Sequence, residues 1–129
     1  MLLVPTRLAP SNIHGIGVFA LAPIAQGTPV WRFERGLDME FSPDIVDGLP
    51  EHVRAFFSRY GYLDRNVKRI ILCFDDARFV NHSDTPNVAT DYTRDPYGLD
   101  AALRDIAAGE EITMNYEGFE ESAGRFTSP

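Results

Sequence analysis

The sequence predicts a mostly-β domain of many short strands, interrupted once by helix. Three observations carry that expectation. Short apolar runs recur along the chain, each bounded by Gly, Pro, Asp or Asn, the residues of turns. Only residues 50–60 show strong helical spacing instead. A chain of 129 residues is also long enough for one core and too short for two.

The expected strands are residues 1–4, 28–33, 67–74, 88–92, 99–103 and 111–114. The helical stretch has Pro50 where a first helical residue would sit, Glu51 at the positive end of the helix dipole and Gly61 as its stop. Val53, Phe56, Phe57 and Tyr60 fall at i, i+3, i+4 and i+7, which is one apolar face. Ser42-Pro43 reads as the cap and first residue of a shorter helix before it. Ile24-Ala25-Gln26-Gly27 and Ile106-Ala107-Ala108-Gly109 echo one another, each glycine supplying a turn residue with positive φ. The organisation expected is one domain over 1–129, a helical insert over about 42–61 and a short tail over 117–129.

Composition narrows the function. No run of apolar residues is long enough to span a membrane, and the opening residues lack the layout of a signal peptide, so a cytoplasmic protein is expected. One cysteine, Cys73, excludes an internal disulfide and a multi-cysteine zinc cluster. The net charge of −7 disfavours nucleic acid and suits a basic partner.

Three segments carry potential chemistry. Gly15-Ile16-Gly17 lets the backbone approach a ligand closely, although a plain tight turn gives the same pattern. Arg78-Phe79-Val80-Asn81-His82-Ser83-Asp84-Thr85-Pro86-Asn87 follows an apolar pair with a dense polar run. Buried, those groups need partners; a turn network with a hydrogen-bonded structural His82 satisfies the same pattern. One His and one Asp are too few for a metal, and Ser83 beside His82 does not suit a nucleophile–base pair. Gly109-Glu110-Glu111-Ile112-Thr113-Met114-Asn115-Tyr116 is a turn and strand ending on a tyrosine, a position equally suited to core packing.

In this order the three segments resemble the SET-domain family of protein lysine methyltransferases, over roughly residues 8–119. That family shows a Gly-x-Gly turn, an Arg-Phe-x-Asn-His-Ser-Cys-x-Pro-Asn run, and a Gly-Glu-Glu-(Leu/Ile)-Thr-x-(Asp/Asn)-Tyr run. The resemblance implies a β-clip fold of small curved sheets with a pseudoknot-like C-terminal threading. It implies an enzyme using S-adenosylmethionine to methylate a lysine ε-amine of a basic protein. Gly15, Ile16, Gly17, Asn81 and His82 would hold the methyl donor, and Tyr116 would be the catalytic tyrosine. The insert over 42–61 would shape the peptide groove.

Asp84 stands where the family often has a zinc-ligating Cys, and the tail has no Cys, so no metal is expected. Tyr62 and Phe119 are the expected channel aromatics, with Phe126, Phe33 and Tyr60 as further candidates; a homodimer is another way to complete the groove. The alternative is a weak or inactive SET-like protein-binding module.

Overall fold

The computed structural model describes residues 1–121. Strand β1 (Thr6–Pro10) pairs antiparallel with β2 (Ile16–Ala20), Thr6 facing Ala20 and Pro10 facing Ile16. The first strand therefore comes later than expected. Residues 1–4 contribute only a single bridge, Leu2 to Trp31, because Pro5 has no N–H with which to continue a ladder.

The second sheet has the order β3 (Pro29–Trp31), β9 (Leu99–Ala102), β8 (Val88–Asp91), β10 (Thr113–Met114), β7 (Asn81–His82). Its β10 runs parallel to both neighbours, whereas the β3–β9 and β9–β8 pairs are antiparallel. β10 lies between β7 and β8, which are joined only by residues 83–87, so that loop closes over the late segment. Ser83 N–H donates to Met114 O at 2.9 Å and ties the loop down. This is the threading expected of the fold.

The third sheet, β4 (Met39–Phe41), β6 (Ile70–Leu72), β5 (Gly61–Leu63), has its middle strand buried throughout. Because strand side chains alternate, Ile70 and Leu72 join Val46 and Phe57 of the insert on one face. Ile71 points the other way, to Trp31, Phe33 and Cys73. The largest cluster, including Val18, Ile24, Val30, Val88, Ile106 and Ile112, lies between the first two sheets. Each such side chain contributes about 1.5–3 kcal/mol by leaving water.

The insert comprises α1 (Pro43–Asp47) and α2 (Glu51–Tyr60). Pro50 is the residue that precedes α2, not its first turn. Gly61 stops the helix without left-handed geometry: φ is −99° and it begins β5. Its missing side chain matters for space, since a Cβ there would lie 3.0 Å from Phe57 O and 3.1 Å from Ile71 O. Phe56 leaves the expected apolar face; it is 42% exposed, tilted against Tyr60 and beneath the Arg78 guanidinium. Gly27 and Gly109 do adopt positive φ, +84° and +83°. The two echoing segments also pair with each other, Ile24 and Ile106 exchanging hydrogen bonds of 2.8 Å.

The strand registers create two adjacent rows across the second sheet. His82, Met114, Val88 and Ala102 are successive partners in the first. Two residues further along the strands, Thr90 faces Asp100, which faces Trp31. Tyr116 follows two residues after the paired Met114, beyond the end of β10.

Candidate functional site

One cavity of about 1060 Å³ connects the two rows to the glycine loop and to the insert. Ile13, Gly15, Ile16, Asn81 and His82 form one side, Tyr116, Tyr62 and Phe119 another. Ile13 and Ile16 expose half their surface, 50% and 51%, so the loop presents apolar side chains beside its backbone groups.

Asn81 anchors that side. Its Nδ2 lies 2.9 Å from Glu111 Oε2, 3.0 Å from His14 O, 3.1 Å from Ser11 Oγ and 3.3 Å from Ile16 O. The carboxylate partner fixes which amide atom is nitrogen, because only the NH₂ can donate to it. Oδ1 accepts nothing among the described residues and remains available as an acceptor on the cavity wall. Ser11 Oγ–H donates to Glu111 Oε1 at 2.7 Å and closes the network.

Gly17 explains its own residue type through this network. A Cβ there would sit 2.7 Å from Glu111 Cδ and 3.2 Å from Asn81 Nδ2. Gly15, by contrast, has φ +46° and open space around it, so its requirement is backbone freedom. Gly15 and Ile16 line the cavity; Gly17 stands behind them, making room for the carboxylate that holds Asn81.

His82, in the cavity lining, bridges Asp84 and the Tyr116 backbone. Its Nδ1 accepts the Tyr116 backbone N–H at 3.1 Å, which places the ring proton on Nε2, donated to Asp84 Oδ1 at 3.0 Å. Its ring meets Tyr116 edge to face at 5.2 Å. Asp84, the residue that departs from the motif, therefore orients the histidine.

Tyr116 opens the short 3₁₀ turn Tyr116–Gly118, and Asn115 caps that turn by accepting Glu117 N–H. The Tyr116 hydroxyl donates to Val80 O, and burial, reinforced by Glu120, pushes its pKa up to about 12. Phe119 contacts Tyr116 at 5.7 Å and Tyr62 at 4.8 Å, forming an aromatic wall. Burial raises the Tyr62 phenol well above its ordinary range. Tyr60 also lines the cavity, while Phe33 is stacked on Tyr97 and stands outside the lining. Phe126 lies outside the described residues.

Asn87, the last motif residue, is turned into the core. Its Oδ1 accepts Thr113 N–H at 2.8 Å and its Nδ2 donates to Glu111 O at 2.8 Å, fastening the threaded segment. Arg78 likewise braces structure, donating twice to Cys73 O. Residues that motif spacing does not reveal include Ser11, Thr90, Asp100 and Trp31; the last three line the cavity only because their strands pair.

The chain resembles known proteins over most of its length. The SET-domain family model matches residues 15–117. A Plasmodium falciparum protein named "Putative histone-lysine N-methyltransferase 1" is 31% identical over 123 residues, 89% of this chain; the chain spans about 2% of that relative's length. The solved structure of a P. falciparum "putative histone methyltransferase" superposes with TM-score 0.57 at 19% identity, covering 89% of this chain and 95% of the other. A humanized Chaetomium thermophilum Polycomb Repressive Complex 2 gives TM-score 0.65 at 22% identity, over 95% of this chain and 16% of that one. These two structural likenesses bear on the fold. With the matched span including the glycine loop, the threaded strand and Tyr116, the chain belongs to the SET-domain family.

Proposed function

We propose that the protein is an S-adenosylmethionine-dependent lysine N-methyltransferase acting on a basic protein. The observation that carries this reading is the continuity of one cavity from the glycine loop and Asn81 to the Tyr116 hydroxyl. The donor set suits S-adenosylmethionine: Asn81 Oδ1 is an acceptor for its ammonium, the loop offers backbone groups, and Ile13 and Ile16 offer apolar cover. When bound, that group supplies a sulfonium methyl.

The protein's part is to bind, orient and dry the acceptor amine. A lysine side chain has a reference pKa of ~10.4, so deprotonation near pH 7.4 opposes transfer by about 4 kcal/mol. Enclosure by Tyr116, Tyr62 and Phe119 disfavours the charged ammonium and lowers that cost. Tyr116 stays protonated at neutral pH, its pKa raised to about 12, and is no general base. With its proton committed to Val80 O, its oxygen accepts an N–H of the amine and aims the lone pair at the methyl group. The net charge of −7 favours encounter with a basic protein.

The test is incubation with tritiated S-adenosylmethionine and basic proteins, followed by mass spectrometry of the labelled residue. Label on lysine is the expected result. Cofactor binding by calorimetry without label in any acceptor would reduce the chain to a binding module.

A further inference from the structure

A buried carboxyl in the cavity wall has no ion-pair partner among the described residues. Asp100 is 8% exposed and lines the same cavity as Tyr116, its strand β9 lying two strands from β10, with Thr90 its partner on β8. Its Oδ1 accepts the Thr90 hydroxyl at 2.7 Å. Its Oδ2 has no partner among the described residues, and it is not sealed in protein either. No Lys, Arg or His among those residues forms an ion pair with it. Burying a carboxylate without a cation is costly, and a substrate cation would relieve that cost.

Asp64 shows what a structural buried acid looks like here. It is fully buried, stands outside the cavity lining, and accepts Asn66 N–H, Val67 N–H and the Tyr92 hydroxyl at 2.8–2.9 Å. Both Asp64 oxygens have partners. Asp100 keeps one oxygen for the cavity.

The geometry points to Asp100 as the group that receives the lysine ε-ammonium and takes its proton before methyl transfer. This rests on the methyltransferase reading. In the proton step an N–H bond breaks and an O–H bond forms, turning carboxylate and ammonium into carboxylic acid and neutral amine. The nitrogen lone pair then forms the N–C bond as the sulfonium C–S bond breaks, the electron pair staying on sulfur. Asp100 afterwards gives its proton to water.

The surroundings favour an acceptor of this kind. Burial raises the Asp100 pKa to about 7, Asp64 reinforcing it, while the Thr90 hydroxyl and the Met1 amine oppose. Tyr62, Tyr92 and the Cys73 thiol are the other titratable neighbours, each itself pushed upward by burial. Glu120, a half-buried carboxyl raised by burial, lines the same cavity four residues after Tyr116.

Two measurements test the assignment. In wild-type protein with ¹³Cγ-labelled aspartate, the Asp100 titration midpoint should fall at least one unit in saturating n-butylammonium chloride, with no change in matched sodium chloride or 1-butanol. An unmoved midpoint, or the same movement in sodium chloride, overturns it. In methyl transfer to poly-L-lysine, Asp100→Asn should lose at least tenfold in kcat/KM at pH 7 and recover most of that at pH 10, where the amine deprotonates unaided. An equal loss at both pH values, or none, overturns it. Asp100→Glu should restore part of the pH 7 rate. If wild-type transfers no methyl and binds no S-adenosylmethionine, the functional reading fails, and the aspartate titration still decides whether Asp100 takes a cation.

Discussion

The two walls of the cavity are built on opposite principles. Around Asn81 the polar groups are tied to one another: Ser11, Glu111, His14 and Ile16 all meet its Nδ2, and only Oδ1 is left for a ligand. Across the sheet, Asp100 makes one side-chain hydrogen bond and leaves Oδ2 without a partner among the described residues, while the Tyr116 hydroxyl donates to Val80 O alone. A satisfied network holds a fixed shape, whereas an unsatisfied buried group is costly until something binds it. The first wall is suited to constant recognition of one ligand, the second to chemistry.

The comparison can be broken at several points. The largest effect is expected from Asp100→Asn on stability. A carboxyl whose folded pKa is raised from 3.8 to about 7 favours its protonated form in the fold, so its cost is absent in acid and grows as pH rises between those values. The gain from Asn should be near zero at pH 4 and approach about 4 kcal/mol at pH 8, three units at ~1.36 kcal/mol each. Urea unfolding of both proteins at each pH measures it; a pH-independent difference would contradict the burial argument.

Next comes Asn87→Ala, which leaves the Thr113 N–H and Glu111 C=O unpaired in the core. It should cost about 3 kcal/mol of stability while the folded fraction keeps its affinity for S-adenosylmethionine. Chemical unfolding and calorimetry separate the two quantities. A lost affinity at unchanged stability would put Asn87 in the site instead of beneath it.

Tyr116→Phe removes only the hydroxyl that meets Val80 O. Turnover should fall about a hundredfold, or about 2.7 kcal/mol in barrier, with cofactor affinity unchanged. Single-turnover transfer with tritiated donor reads this directly. Asp84→Asn is the mildest change, since it keeps an oxygen for His82 Nε2 and the pair is exposed. Stability should move by less than about 0.5 kcal/mol; a tenfold loss of turnover would assign Asp84 a larger role than holding the ring.

Much of the first wall was legible because its parts are local in sequence. Gly15-Ile16-Gly17, Asn81-His82 and the run ending at Tyr116 are short segments whose composition marks close backbone approach and dense hydrogen bonding. Glu111 was visible as a motif letter but not as the carboxylate that holds Asn81, since the two are 30 residues apart. The helical insert was legible from period, yet Phe56 turned outward because α2 presents only a narrow stripe to Ile70 and Leu72. The opening residues misled: Met1-Leu2-Leu3-Val4 has strand composition, but Pro5 and the later β1–β2 pairing leave it one bridge.

The residues themselves thus determined the family, the short-strand architecture and the tyrosine at the end of the threaded strand. Tertiary structure alone decided what shares the cavity with that tyrosine. Thr90, Asp100 and Trp31 come from three strands spread along the chain, and strand register places them in one row. Register depends on which faces bury together and not on any local signal, so an aspartate in a strand reads as surface until its neighbours are known.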